Sequence, residues 1–391
     1  MSFTSLQGVR VLDLGIVTAG ASTSAVLADL GAEVIKVEGP LYIDPFREWS
    51  GQNDGPNWWN ESPQFQATNR NKRSVCLDLK SPQGLDLFMK LATNCHVVVE
   101  NFRAGVLKRL KIDFERLTAI NPRIILASIS SQGQDGPEST NSSFGSTLEA
   151  SSGMAALMRY PGEAPQITGR GLNYPDQVAS LFSASAIIAA LVESRRTGVG
   201  AALDLSQREL TSFLVGEALI AASAHVPLEP YDTAAPGAVQ GVFKARDGQW
   251  VAVTVLAGES HGVVKGLAAS PTRDALERWI AALPAPTAAG RLRAAGIAAE
   301  VVWTARAFDD PDALVPQDAF ALDSEGRQVK GLPLRLGGQN CRAFRAAPAL
   351  GRDNSDVARD LLGLAMEEYQ AFVGMGLFSD RPDKVRKSTA M

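Results

Sequence analysis

The chain has 391 residues, of which 45% are hydrophobic and 20% are charged, so it is long enough for two domains or for one large domain with an insertion. A formal net charge of −4 gives no electrostatic support for nucleic-acid binding. Three cysteines without CxxC or CxH spacing, together with only three histidines, argue against a disulfide framework, a metal site and a histidine-based triad.

The N-terminal segment predicts a strand–helix–strand unit. Val9–Leu14 has the pattern of a buried strand, Ser22–Leu30 that of a short helix, and Glu33–Glu38 that of a second strand. Such a unit indicates a parallel sheet with helices on its faces. Gly15 and Gly20 have no third glycine at the spacing of a dinucleotide fingerprint, so the pattern argues against NAD or FAD binding.

A cluster of basic residues follows a long irregular segment. Residues 39–67 are rich in Pro, Asn and aromatic side chains and predict a loop, which is often functional at this length. Arg70, Lys72 and Arg73 then precede a strand at Ser74–Leu79. Such clusters are usually solvated. If this one lies at the ligand-binding edge of a parallel sheet, it would suit a phosphate group.

Two more strands continue the predicted sheet, at His96–Glu100 and Arg123–Ile129. Asn101, Phe102 and Arg103 directly follow the first of them. Helices are predicted around these strands and further along the chain at residues 84–92, 106–110, 114–119 and, interrupted by Ser151-Ser152-Gly153, 148–158.

The segment from Asn173 to Gly200 predicts a long helix of small and apolar residues that starts with Asp176 in or before its first turn. The ordinary interpretation of Asp176 is a helix cap. The functional one is a nucleophilic carboxylate at the positive end of a helix. After a strand at Ala202–Leu205, Ser206 and Glu209 have the spacing of a capping box that opens another helix.

The composition changes after Pro227. Residues 237–254 predict a β-hairpin, and short helices and a strand follow. We therefore expect an α/β protein with a parallel-sheet, Rossmann-like large domain and a smaller α+β domain. The predicted boundaries are residues 1–226 for the large domain, 227–325 for the small domain, and 326–391 for a return to the large domain.

Several segments, taken together, resemble the family III CoA-transferases, also called the CaiB/BaiF family. They are LQGVRVLDLG, LADLGAEVIKVE, NRNKRSVCLDLKSPQG, ENFRAGVLKRL, NPRIILASIS, NYPDQVAS, RRTGVGAALDLSQRE, RDGQWVAV and APALGRDN. The resemblance covers nearly the whole chain in the right order. It implies CoA transfer between an acyl-CoA and a carboxylic acid through an aspartyl anhydride and an aspartyl-CoA thioester. It also implies an interlocked dimer, with no permanently bound cofactor and no metal.

The resemblance implies that Asp176 is the nucleophile and that CoA binds to the large domain. The implied positions are Thr18 and Ala19 near the pantetheine or adenine, Leu77 and Lys80 near the nucleotide, Asn101 and Phe102 beside the thiol arm, Arg109 near the phosphates, and Lys72, Arg73 or Arg103 as further phosphate ligands. Glu149 is a candidate for supporting Asp176, although an exposed helical glutamate is the commoner explanation.

The sequence departs from the family pattern at several places. Gly39 stands where a basic residue is common, and Ser180 where a glycine usually follows the aspartate. Gly237 and Gly241 match a glycine loop that supplies oxyanion donors, but they are not consecutive here. The segment between Val255 and Trp279 is shorter than expected, which affects the acceptor specificity more than the chemistry.

Three alternatives remain at this stage. An α-methylacyl-CoA racemase needs a histidine in the segment that here reads Ser139–Leu148, which has none. A non-catalytic subunit of a hetero-oligomer would not need Asp176. A NAD(P)-dependent enzyme lacks its glycines. We expect a cytoplasmic homodimer, or a hetero-oligomer, without a signal segment, a membrane span or contact with nucleic acid.

Overall fold

The structure is a computed structural model that describes residues 4–49, 55–158, 164–168, 173–226, 238–256, 266–267, 272–304, 320–340 and 344–383. The chain divides into two compact units. The larger comprises Met1–Met158, Pro165–Leu219 and Gln317–Met391, and the smaller comprises Arg159–Ala164 and Ile220–Pro316.

The larger unit is built on a six-stranded sheet, counted within the described residues. Its strands are β1 (Arg10–Asp13), β2 (Glu33–Glu38), β3 (Arg73–Cys76), β4 (Val97–Glu100), β5 (Ile125–Ser130) and β6 (Ala201–Ser206). All five pairings are parallel, and the spatial order is β3-β2-β1-β4-β5-β6. The order reverses between β1 and β4, where a doubly wound sheet opens a crevice for ligands. The predicted parallel-sheet α/β fold is confirmed.

Helices cover both faces of this sheet, and others belong to the smaller unit. They are α1 (Ala19–Asp29), α2 (Pro63–Asn69), α3 (Pro82–Thr93), α4 (Val106–Arg109), α5 (Phe114–Ile120), α6 (Gly145–Ser151), α7 (Met154–Leu157), α8 (Tyr174–Thr197), α9 (Gln207–Leu214), α10 (Gly216–Ser223), α11 (Arg273–Ala281), α12 (Ala285–Ala294), α13 (Asn354–Asp360) and α14 (Met366–Gly374). Two short 3₁₀ turns lie at Pro45–Glu48 and Trp58–Asn60.

Alternating side chains of the central strands point to two separate cores. Leu12 and Val98 pack with α3 and α5 on one face. Their neighbours Val11, Val97 and Val99 pack with α1 and α8 on the other. Because both faces are covered, strands such as β4 (VVVE) contain consecutive hydrophobic residues, which is typical of parallel sheets.

Helix α8 is long and apolar enough to cross a membrane by length and composition alone. In this fold, however, one side of α8 is part of a core. Ala179, Ile187 and Leu191 are buried against α1 and the sheet. The buried side of the helix therefore has a packing role in the larger unit.

The C-terminal segment closes the outer edge of β3. Asp353 Oδ2 accepts the backbone N–H of Ser74 at 2.8 Å, and Asn354 Oδ1 accepts that of Cys76 at 2.9 Å. Leu77 forms a β-bridge with Phe378. These contacts satisfy backbone groups that an edge strand otherwise leaves open.

The smaller unit contains a three-stranded antiparallel sheet. Its strands are β7 (Val239–Lys244), β8 (Trp250–Val255) and β9 (Ala298–Val301), in that order. The pairing of β7 with β8 confirms the predicted hairpin. Helices α11 and α12 pack on this sheet around Leu276 and Leu292. Two short ribbons in the larger unit complete the strands, namely β10 (Phe320–Leu322) with β11 (Gln328–Lys330) and β12 (Arg335–Leu336) with β13 (Gln339–Asn340).

Some local predictions differ from the structure. The irregular segment contains α2, which starts at Pro63 in the favourable first helical position. The helix after β6 is two helices, because α9 ends at Leu214 and α10 starts at Gly216. A second C-terminal helix, α14, follows α13 and was not predicted.

Candidate active site

The loop after β1 is fastened to the end of β4 at the point where the strand order reverses. Asn101 accepts the N–H of Ile16 at 2.7 Å and donates to its carbonyl at 3.0 Å. The backbone then turns at Val17, whose φ is +57°, a conformation that non-glycine residues rarely adopt. Thr18 is the N-cap of α1. This loop directs the first N–H groups of α1 toward the crevice.

Asp176 lies in the first turn of α8, close to the start of α1. The N-cap of α8 is Asn173, so the prediction that Asp176 lies in the first turn is confirmed. Gln207 Nε2 donates to Asp176 Oδ1 at 3.1 Å. The backbone N–H groups of Asp176 and Ala19 also interact with the carboxylate. The carboxylate is therefore surrounded by donors from the starts of α1, α8 and α9.

The environment of Asp176 raises the pKa of its carboxyl group. Burial raises that pKa from 3.8 to about 6, and the hydrogen bond from Gln207 and the two backbone N–H groups oppose the increase. Removal from water thus outweighs the donors, which makes the carboxylate more basic than an ordinary aspartate. At neutral pH it remains mostly ionised and able to act as a nucleophile.

Ser180 joins α8 to α1 one turn after Asp176. Its hydroxyl is within hydrogen-bond distance of the Asp176 carbonyl, at 2.7 Å, and of the Ala19 carbonyl, at 3.1 Å. Ser180 is 2% exposed. The departure from the family's usual glycine therefore adds a polar contact between the two helices that carry the site.

A buried ion pair lies below the β1 loop. The ammonium of Lys72 donates to Asp13 Oδ2, to the Ala21 carbonyl and to Asn69 Oδ1, each at 2.8 Å. Burial lowers the pKa of Lys72 to about 8, although Asp13 opposes the change. An ammonium group has three donors, so all of those on Lys72 have partners within the protein.

A second group of buried charges fixes the same loop. Lys36 donates to the Gly15 carbonyl at 2.6 Å and pairs with Asp44 at 3.0 Å. Asp44 also accepts the N–H of Val17 at 3.0 Å. Glu38 pairs with Arg47 through bonds of 2.8–3.1 Å. With the pair of Asp13 and Lys72, the buried charges below the loop are three acidic and three basic side chains, so their charges balance.

The predicted position of the basic cluster is wrong. Arg70, Lys72 and Arg73 precede or begin β3 and so lie at its amino end, whereas ligands bind at the carboxyl ends of parallel strands. Arg70 pairs with buried Asp29, and Arg73 pairs with Glu33. Residues that precede a strand lie at its amino end, so the chain order argues against a ligand site there, and the acids that pair with these cations become visible only in the fold.

The other predicted CoA-binding residues lie after the carboxyl ends of β3 and β4. Leu77 is fully buried in the core. Phe102 is half-buried and packs against that core. Of the predicted CoA-binding cations, Lys80, Arg103 and Arg109 are exposed.

Glu149 is buried rather than exposed. Its carboxylate accepts from the backbone N–H of Thr168 at 2.7 Å and from the Thr168 hydroxyl. Glu149 therefore supports the segment that precedes α8 and does not contact Asp176 directly. The commoner explanation offered by the sequence, an exposed helical glutamate, is incorrect.

Gly145 borders the other side of the nucleophile. It is the first residue of α6, and a β-carbon placed on it would lie 3.5 Å from Asp176 Oδ2 and 3.3 Å from Asn173 Oδ1. Because Gly145 has no side chain, the start of α6 can approach Oδ2 closely. Neither Gly145 nor Gln207 was singled out from the sequence, because no local pattern connects them to Asp176.

The remaining predictions concern glycines and histidines. Gly237 lies outside the described residues, as does most of the shortened segment before Trp279. Gly241 lies in β7, where a β-carbon would be 2.6 Å from the Arg273 guanidinium, which gives it a packing reason. His96 precedes β4, at the end of the sheet opposite Asp176. Among the histidines that the structure describes, none lies beside the nucleophile.

Comparisons with known proteins agree over nearly the whole chain. The family profile described as CoA-transferase family III matches residues 6–354. The succinyl-CoA–D-citramalate CoA-transferase of Chloroflexus aurantiacus is 30% identical over 93% of this chain and 95% of its own. The succinyl-CoA:glutarate CoA-transferase of Mus musculus is 36% identical over 64% of this chain and 56% of its own. The crystal structure of a CaiB/BaiF family protein from Brucella suis, 25% identical, covers 92% of this chain and 100% of its own with a TM-score of 0.79.

Proposed function

The chain belongs to CoA-transferase family III, and on that premise we propose that it transfers CoA to a carboxylic acid through covalent intermediates on Asp176. The observation that carries this proposal is the position of the Asp176 carboxylate. It is ionisable, half-buried, and surrounded by N–H donors at the crevice of the sheet. A carboxylate can exchange with another carboxylate at nearly equal energy, so the reaction needs no ATP.

The proposed reaction begins with attack of Asp176 on the thioester carbonyl. The bond from the aspartate oxygen to the acyl carbon forms, the carbon–sulfur bond breaks, and CoA leaves as a thiolate. The thiolate then attacks the aspartyl carbonyl, which gives an aspartyl-CoA thioester and releases the donor acid. The carboxylate of the acceptor acid then attacks the aspartyl-CoA thioester, which releases the CoA thiolate and gives a second anhydride. The thiolate attacks the acceptor carbonyl of this anhydride, which frees Asp176 and gives the new acyl-CoA.

We propose that CoA lies along the loops after β1, β3 and β4. Thr18, Ala19 and Asn101 would border the thiol arm, because the Ala19 N–H interacts with the Asp176 carboxylate and Asn101 holds the loop that leads to Thr18. For the phosphates we favour the exposed cations Lys80 and Arg109 over Lys72, whose donors are already occupied. Relatives named for succinyl-CoA make a dicarboxylic acyl-CoA the first donor to test.

A dimer is also proposed. Helices α8 and α9 present exposed apolar side chains, which are Leu181, Phe182, Val192, Phe213 and Leu214. The rings of Phe182 and Phe213 are 5.7 Å apart. Exposed apolar surface of this kind is typical of protein interfaces. Sedimentation of the purified chain alone tests whether it forms a homodimer, because a monomer would favour the hetero-oligomeric alternative.

The covalent mechanism is tested by mass spectrometry of the intact protein. Mixing with succinyl-CoA and quenching with hydroxylamine or borohydride should modify the wild type at Asp176. Asp176→Asn should not react, whereas Asp135→Asn, which changes an exposed acid of the neighbouring loop, should react like the wild type. Transferase turnover without any modification of Asp176 would refute the covalent role. Absence of turnover with every acyl-CoA tested, despite CoA binding, would favour the racemase or the non-catalytic subunit.

A further inference from the structure

The two oxygens of the Asp176 carboxylate have different surroundings. Oδ1 accepts a hydrogen bond from Gln207 Nε2 at 3.1 Å. Oδ2 faces Gly145, where a β-carbon would lie 3.5 Å away. Gly145 therefore places no side chain against Oδ2, while a bond at Oδ1 would break the contact with Gln207.

Gln207 is held firmly in place. It is the first residue of α9, directly after Ser206, whose hydroxyl caps the helix by accepting the N–H of Glu209 at 3.3 Å. Thr211 donates its hydroxyl to the Gln207 carbonyl at 2.7 Å. Gln207 is 7% exposed. A buried amide in a fixed position can donate without first reorganising, which is the condition for stabilising a developing charge.

We propose that Gln207 is a catalytic residue which holds Oδ1 and stabilises the oxyanion that forms on it, so that Oδ2 is the atom that is acylated. This inference rests on the proposed covalent mechanism. When the CoA thiolate attacks Cγ of the anhydride, the sulfur–carbon bond forms and the electron pair of the carbonyl moves to Oδ1. The pair returns as the Cγ–Oδ2 bond breaks, and the donor acid leaves with Oδ2.

The same donor acts when the acceptor attacks the aspartyl-CoA thioester. Charge again develops on Oδ1, and an oxygen of the acceptor takes the place of Oδ2. In the last step the thiolate attacks the acceptor's carbonyl, and this oxygen stays on Asp176. Each turnover therefore replaces one carboxylate oxygen, and Gln207 determines which oxygen is retained.

Oxygen-18 gives a direct test. The wild type is allowed many turnovers with an unlabelled acyl-CoA and an acceptor labelled at both carboxylate oxygens, and the peptide containing Asp176 is then analysed by mass spectrometry. We expect one oxygen-18 at Asp176. Gln207→Met keeps the approximate shape of the side chain and removes the donor. The Asp176 carboxylate can then rotate between turnovers, and we expect two oxygen-18 atoms at Asp176.

Kinetics provide the second readout. Gln207→Met should release one equivalent of CoA thiol, measured after acid quench, at a rate close to that of the wild type. Steady-state transfer should fall by about 100-fold, because only attack at the aspartyl carbonyl loses a donor. Ser212→Ala is the matched control, since it removes a hydrogen bond of the same helix, from the Ser212 hydroxyl to the Ser152 carbonyl at 3.1 Å, without touching Gln207. It should retain single labelling and wild-type turnover.

The outcomes are distinguishable. Two labels in the wild type would overturn the selection of Oδ2, even if no variant folds. One label and normal turnover in folded Gln207→Met would overturn the role of Gln207 and leave the proposed function intact. Turnover without label at Asp176 would refute the covalent mechanism and this inference together.

Discussion

Replacing Asp176 by asparagine should stabilise the fold at neutral pH. Asn keeps the size of the side chain and can still accept from Gln207, but it removes a charge from a site that disfavours it. The pKa of Asp176 rises from 3.8 to about 6 on folding. A change of about two units corresponds to ~3 kcal/mol at ~1.4 kcal/mol per unit. Because Asp176 is only half-buried, solvent screening reduces the expected gain to about 1–2 kcal/mol.

The difference in the free energy of unfolding between Asp176→Asn and the wild type depends on pH. Between 3.8 and about 6 the folded state binds the proton and the unfolded state has lost it. The stability of the wild type therefore falls as the pH rises through this window, whereas Asp176→Asn does not share the loss. The variant should gain little below this window and should gain fully above it.

Thermal unfolding across the same pH range measures the effect. Above about pH 6 we expect the unfolding temperature of Asp176→Asn to exceed that of the wild type by about 2–4 °C. Asp135→Asn serves as the control at an exposed acid. A destabilised Asp176→Asn, or a difference that is the same at all pH values, would show that burial does not disfavour the charge.

Three further predictions concern other parts of the site. Gly15→Ala should prevent correct folding and lower the soluble yield, because its β-carbon would lie 2.4 Å from the carbonyl carbon of Gly20. A soluble variant with the circular dichroism of the wild type would contradict this prediction. Gly145→Leu places a side chain beside Asp176 Oδ2, so CoA transfer should fall by at least ~10-fold while CoA affinity, measured by calorimetry, stays within ~2-fold. Unchanged transfer would contradict the proposed approach of the acyl group to Oδ2. Lys80→Ala should weaken CoA binding by several-fold, which corresponds to the ~1 kcal/mol of an exposed ion pair. Binding of a pantetheine thioester that lacks the nucleotide should not change. Equal losses of affinity for both ligands would place Lys80 away from the phosphates.

The parallel sheet could be predicted because its information is local. Strands such as Val97–Glu100 are short apolar runs, and Ser81 and Pro82 mark the start of α3 between β3 and β4. The position of Asp176 was also predictable, since Tyr174 and Pro175 mark the start of α8 in the sequence. Pattern, capping and turn chemistry all point to the same structure in these segments.

The partners of Asp176 could not be found in this way. Gln207 is 31 positions away and stands between Ser206 and Glu209, whose spacing already predicts the start of a helix. Lys72 was misjudged for a related reason. A charged residue in a basic run is usually solvated, and only the assembled sheet shows Asp13 within 2.8 Å of its ammonium. Both contacts depend on the topology, which local patterns do not encode.

The C-terminal cover on β3 has a consequence for biosynthesis. Ser74 and Cys76 leave the ribosome long before Asp353 and Asn354, the residues that pair with their backbone. Throughout most of translation, β3 is therefore an open strand edge on a growing hydrophobic sheet, and neighbouring nascent chains on a polysome can pair with it. Chains that stop before Asp353 retain this open edge permanently. A segment made 279 positions later in the chain thus protects a strand made much earlier.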